Sequence, residues 1–152
     1  KKDLLITSGG KNIAPQMIEG LFKTDPLFTQ FIVIGERKKY LTGLCNIDLD
    51  IAATIADEEK IPYDKPSDLL DNDRFLAIVK KHVEERNTHL AKYETIKDFR
   101  IIKKEFSQEG GEMTATLKLK RKVINEKYKH LIDDMYGKEA VDELYEKKQA
   151  KV

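Results

Sequence analysis

The sequence predicts an α+β fold, a small N-terminal β-hairpin followed by a small mixed sheet packed with helices in two layers. Three observations carry it. The short β-prone runs "DLLIT" and "KNIAP" flank the glycines of "SGG". Two apolar runs, "FTQFIVIG" and "YLTGLCNI", are joined by the polar "ERKK". Segments with helical spacing of apolar residues then alternate with the strand-like "DFRIIKKEF". At 152 residues and 40% hydrophobic, the chain is expected to form a single domain, 1–152, with a core of useful size.

Gly9 and Gly10 place a tight turn between the first two strands, because two glycines admit backbone angles that other residues resist. Pro15 suits the first turn of a helix, where its missing N–H costs nothing. Ala14, Ile18, Leu21 and Phe22 give that helix an apolar stripe, and "TDP" at 24–26 stops it. The next two apolar runs read as antiparallel neighbours. Phe31 to Ile34 is apolar on both faces, which predicts a central, buried strand.

From Ile51 to about Ile96 the spacing is helical, with a break at "IPYDKPS". The second helix is expected over "NDRFLAIVKKHVEERNTHLAKYETI", with Phe75, Val79, Val83 and Leu90 inward. "SQEGGE" is a flexible turn into "TATLKLK", whose alternation predicts a strand with Thr114, Thr116, Lys118 and Lys120 on one face and Ala115, Leu117 and Leu119 on the other. Ile124, Tyr128, Leu131, Ile132 and Met135 form one more helical stripe, closed by Gly137, and "KEAVDELYEKKQ" a short final helix.

The charge balance limits the function classes. Lys and Arg total 28 against 27 for Asp and Glu, so no overall field draws the molecule to nucleic acid or an anionic membrane, and any anion site is local. No apolar run of about 18 residues spans a bilayer. The single cysteine, Cys45, lies in an apolar run and reads as a buried structural thiol in a reducing compartment; a cytoplasmic location is expected. His82, His89 and His130 lack the companions of a metal site. No nucleophile motif is present.

"SGGKN" lacks the spacing of a phosphate loop and by itself reads as a turn. The basic strand reads as the charged face of an edge strand, or the stretch 118–129 as a binding module for an acidic protein or RNA. A third reading is the setting for one compact positive charge.

Two separated stretches choose among these. "KKDLLITSGGKNIAPQMIEGL" resembles the hinge and glycine-turn motif of the adenylate-forming superfamily. "GGEMTATLKLKRKVINEKY" resembles the Thr-x-Thr-x-Lys-x-Lys-Arg signature of its long-chain fatty acid branch. With "VIGERKKYLTGL" between them, nearly the whole chain is similar to the C-terminal domain of AMP-forming acyl-CoA synthetases.

The resemblance implies a two-step ligase: ATP and a fatty acid give an acyl-adenylate and pyrophosphate, and the thiol of coenzyme A then displaces AMP. It implies a mobile C-terminal lid that presents one face for adenylation and another for thioester formation. Lys118 matches the adenylation lysine and Lys2 the hinge. Ser8, Gly9, Gly10, Lys11 and Asn12 match the turn that faces the active site in the thioester step. Lys120 and Arg121 become supporting charge. Leu117 stands where many superfamily members carry Gly, and Lys120, on the same predicted strand face, is the other candidate for the adenylation role.

Mg²⁺ is implied through the ATP phosphates, with no metal ligand expected in this chain. The partners implied are a large N-terminal domain outside these residues, the three substrates and no nucleic acid; the resemblance leaves room for peripheral membrane association of the full enzyme. The opening "KKDLLIT" reads as a piece of a longer polypeptide, and the piece alone is expected to be inactive.

Overall fold

The computed structural model describes residues 3–137. The chain divides into two compact units, 1–107 and 108–152, each taken in turn.

The first unit opens with the expected hairpin. Strands β1 (Leu5–Ile6) and β2 (Asn12–Ile13) pair antiparallel, Leu5 opposite Ile13. Helix α1 (Pro15–Lys23) starts on Pro15 and ends at Thr24, whose hydroxyl donates to the Leu21 carbonyl at 2.6 Å. Ala14 is its N-cap and not part of the stripe; Ile18 and Phe22 are the buried apolar anchors.

Strands β3 (Phe28–Ile34) and β4 (Leu41–Ile47) pair antiparallel, and β5 (Ile96–Ile101) joins β4 in parallel, giving the order β3-β4-β5. The sheet is mixed, as expected, but the central strand is β4. β3 is buried yet lies at the edge in hydrogen bonding. Helix α1 covers it: Phe22 stacks on Phe31 at 4.1 Å between ring centroids. The buried Glu19 carboxylate accepts from the Val33 N–H at 2.8 Å, so an edge amide is satisfied inside the protein.

A parallel pair needs a long crossover, and it contains α2 (Leu49–Glu58), a 3-10 turn (Pro66–Asp71), α3 (Asp73–Asn87) and a second 3-10 turn (Lys92–Glu94). Asp48 caps α2 by accepting from Asp50 and Ile51 N–H, and Asn72 caps α3 by accepting from Phe75 N–H. The predicted helix to 96 stops at Asn87, so His89 and Leu90 lie beyond it. The reason is a long-range competitor. Asn87 exchanges two hydrogen bonds with the Ile96 backbone, at 2.9 and 2.8 Å, docking the start of β5. Beyond β5, buried Asn46 holds the returning chain through the Ile102 carbonyl (3.0 Å) and the Phe106 N–H (2.9 Å).

The second unit departs most from expectation. "TATLKLK" is not a strand. Residues 114–118 close a turn, and one antiparallel bridge, Met113 to Leu119, stands in place of a ladder. Helix α4 (Arg121–Lys127) follows, interrupted at Tyr128 (φ −110°, ψ 23°) before helical residues 129–137. The predicted single stripe is thus two segments, with Ile124, Ile132, Met135 and Tyr136 buried. The predicted final helix lies outside the described residues, as do the residues that would follow a cap at Gly137.

Candidate functional site

The glycine turn is built on the first hairpin. Thr7 N–H donates to the Lys11 carbonyl and Gly10 N–H to the Thr7 carbonyl, both at 3.0 Å, while Lys11 N–H donates to Thr7 Oγ1 at 3.1 Å. Gly10 has φ +82°, a conformation that favours glycine. Ser8, Gly9, Gly10, Lys11 and Asn12 are all exposed.

The loop between β3 and β4 anchors this turn from behind. Ser8 N–H donates to the Lys38 carbonyl at 3.0 Å, Arg37 N–H to the Ile6 carbonyl at 2.8 Å, and Ile6 N–H to the Glu36 carboxylate at 3.2 Å. The Lys11 ammonium lies 5.0 Å from the centre of the exposed Tyr93 ring, within cation–π range. Glu36, Arg37, Lys38 and Tyr93 did not emerge as parts of this surface from the sequence. Only the tertiary fold brings them to the turn.

Lys118 sits on the second feature, in the second unit. Thr114 N–H donates to the Lys118 carbonyl at 2.8 Å, and Leu117 N–H to the Thr114 carbonyl at 2.9 Å. Lys118 N–H donates to Thr114 Oγ1 at 3.1 Å. Leu117 has φ +64°. A tight turn followed by one left-handed residue is a standard three-residue hairpin loop, and glycine suits its last position. Leu117 therefore occupies a site of glycine-like conformation without being glycine. It does so 68% exposed.

Lys118 and Lys120 do not share a strand face. Lys118 leaves the loop, exposed, and its ammonium meets no partner among the described residues. Lys120 is the N-cap of α4, where its N–H donates to the Glu112 carbonyl at 2.7 Å, and Arg121 is the first helical residue.

Below the hairpin lies a buried charge that the sequence reading passed over. The Glu112 side chain is 1% exposed and pairs with the Lys127 ammonium, which also donates to the Gly110 carbonyl at 3.3 Å. The hydrogen bond to Glu112 holds the Lys127 pKa above its ordinary value, against an opposing effect of desolvation. Gly110 leaves room for that carboxylate, since a Cβ there would come within 2.4 Å of a Glu112 carboxylate oxygen and the side chain would have to shift. The i,i+4-like spacing rules of one helix could not find this pair, because Glu112 lies in the preceding loop.

The remaining candidates have local roles. Cys45 is fully buried, and burial pushes its thiol pKa up, so it is a packing residue with little thiolate to react. His82 Nδ1 lies 2.6 Å from Asp25 Oδ2, joining α3 to the end of α1. Among the described residues no group of three or more His, Cys, Asp or Glu side chains is placed to hold a metal ion, and no helix is long and apolar enough to cross a membrane. Lys2, the expected hinge, lies outside the described residues.

Comparison with known proteins places the chain in a family. A family model described as AMP-binding enzyme C-terminal domain matches residues 2–140. The chain is 33% identical over 140 residues to a long-chain-fatty-acid–CoA ligase of Mycobacterium tuberculosis, an alignment that spans 91% of this chain and 23% of that protein. The chain thus corresponds to about a quarter of that relative's length.

Among solved structures, the adenylation domain of a carboxylate reductase from Mycobacterium chelonae superposes with a TM-score of 0.71 at 20% identity, over 88% of this chain and 19% of the other. The didomain of a carboxylic acid reductase from Segniliparus rugosus, in complex with AMP, does so with 0.69 at 21%, over 99% and 20%. These two share the fold. The reading as a binding module for an acidic protein or RNA finds no support in these relatives.

Proposed function

We propose, given that this chain belongs to the family of AMP-binding enzyme C-terminal domains, that it is the catalytic lid of a long-chain fatty acid–CoA ligase. In this reading a large N-terminal domain holds ATP, with Mg²⁺ on its phosphates, and the fatty acid. The lid completes the site for each half-reaction.

The observation that carries the proposal is Lys118. An exposed ammonium without a competing carboxylate among the described residues, mounted on a short hairpin closed by its own hydrogen bonds, is available to an anion brought to it. In adenylation the fatty acid carboxylate attacks the α-phosphorus of ATP and pyrophosphate departs. Lys118 supplies one point charge between the attacking carboxylate oxygen and the α-phosphate as negative charge concentrates there. Lys120 and Arg121, at the start of α4, add background positive potential. Coenzyme A is the acceptor of the second step, for which the reading assigns the face bearing Ser8, Gly9, Gly10, Lys11 and Asn12. Their open backbone lets a thin chain approach closely, since a Cβ at Gly9 or Gly10 would meet no atom within 4 Å.

The test uses the full-length enzyme carrying Lys118→Ala. Fatty-acid-dependent exchange of pyrophosphate into ATP is expected to fall about 10²-fold or more, the scale of losing one transition-state electrostatic partner. Thioester formation from supplied acyl-adenylate should persist. Undiminished exchange would remove the assignment. Lys120→Ala is expected to have a much smaller effect.

A further inference from the structure

We propose that Lys127 and Glu112 form a positioning pair that holds the Lys118 hairpin in register for adenylation. The inference rests on the reading of Lys118 given above and adds two residues to it.

A lysine side chain is long and freely rotating, so the precision that catalysis needs has to come from the backbone that bears it. The Lys118 backbone is fixed by a short chain of contacts. The loop 115–117 is closed by Thr114 and Lys118, and Met113 bridges to Leu119. The hairpin's foot is where Lys120 N–H meets the Glu112 carbonyl at 2.7 Å. Both arms therefore converge on Glu112.

That residue is an almost fully buried carboxylate in a segment with no regular ladder. Gly111, beside it, has φ +85°, so the backbone there is bent and has little secondary structure to hold it. A cation paired with Glu112 comes from the last residue of α4. Lys127 grips both the Glu112 carboxylate and the Gly110 carbonyl, and ties the approach of the hairpin to the helix that leaves it. Removing the cation takes a charged partner from a carboxylate that is almost fully buried, and a buried charge with less compensation moves toward water or takes up a proton. Either response shifts the foot of the hairpin. Lys127 is itself engaged below the loop, so its effect on the reaction passes through Lys118.

A purely structural pair would lower both half-reactions together, while a positioning pair acts on the step that uses Lys118. In the full-length enzyme, Lys127→Met is expected to reduce the kcat of fatty-acid-dependent pyrophosphate exchange by about 10- to 100-fold, the order of effect of a misplacement near 1 Å. The KM for ATP and the rate of thioester formation from supplied acyl-adenylate should stay within about threefold. Lys127→Arg should restore most of the exchange rate, because it keeps the charge and the donors. Glu112→Gln should lower exchange by less than Lys127→Met, and it provides the same reading if Lys127→Met does not fold. Equal losses in both half-reactions, no loss of exchange, or failure of Lys127→Arg to rescue would each overturn the proposal. Lys118→Ala, measured in parallel, separates the two levels. If it leaves exchange intact, the reading of Lys118 falls; if it abolishes exchange while Lys127→Met does not, only the positioning pair falls.

Discussion

Thr114 and Lys118 hold each other through two hydrogen bonds, one of backbone to backbone and one to a side chain: the Thr114 N–H donates to the Lys118 carbonyl at 2.8 Å, and the Lys118 N–H donates to Thr114 Oγ1 at 3.1 Å. This reciprocal closure turns an alternating sequence into a loop and sets Lys118 just past the loop's tightest residue.

That residue, Leu117, is where the loop stores strain. A left-handed conformation costs a side-chain-bearing residue about 1–2 kcal/mol, and glycine's extra freedom in the unfolded chain costs roughly 0.5–1 kcal/mol. With 68% of Leu117 exposed, little packing is lost on removing its side chain. Leu117→Gly is therefore expected to stabilise the chain by about 0.5–1 kcal/mol, and β-branched Leu117→Val to destabilise it. Thermal unfolding of the two variants checks the order; a lower midpoint for the glycine variant would contradict the left-handed assignment.

Gly43 has the opposite constraint. A Cβ there would lie 2.4 Å from Cζ of Phe31, and that ring is fully buried against Phe22, which leaves it no easy way to yield. Gly43→Ala is expected to cost about 1–3 kcal/mol by overpacking, seen as a lower urea midpoint at unchanged slope. Gly9→Ala, which meets nothing within 4 Å, should stay within about 0.5 kcal/mol of the parent. Equal midpoints for the two alanine variants would show that the sheet gives way more easily than its packing indicates.

The Lys127–Glu112 pair makes one part of stability depend on high pH. Because the Lys127 pKa is raised by its hydrogen bond to Glu112, the folded state holds this proton more tightly than the unfolded state does. Its contribution is complete below the ordinary lysine value of 10.5 and is lost as pH rises through the higher folded value. A lysine-selective NMR titration should give Lys127 a midpoint above 10.5, returning downward in Glu112→Gln. A Lys127 midpoint at or below the ordinary value would exclude the pair in solution.

The parts of the fold legible in the sequence were those with local causes. Gly10 turns the first hairpin by its own backbone freedom, and Pro15 starts α1 because a helix has no use for an N–H there. β3 and β4 follow from two apolar runs and a polar joint. What escaped involved a distant competitor. Helical spacing runs past Asn87, but that side chain binds the Ile96 backbone instead of continuing the helix. Apolar composition marked β3 as buried without saying that α1 and Glu19, not another strand, cover its outer edge.

For the candidate site, the sequence by itself marked the residues to which the proposed chemistry is assigned: the glycine turn at 8–12, and Lys118 within a motif whose residue types and order resemble the family's. The tertiary structure decided how they are held. Alternation alone cannot make a strand, because a strand exists only where a partner exchanges backbone hydrogen bonds with it. Residues 114–118 found their partners within their own loop, and Lys127 reached back from α4 to the buried Glu112 at its foot.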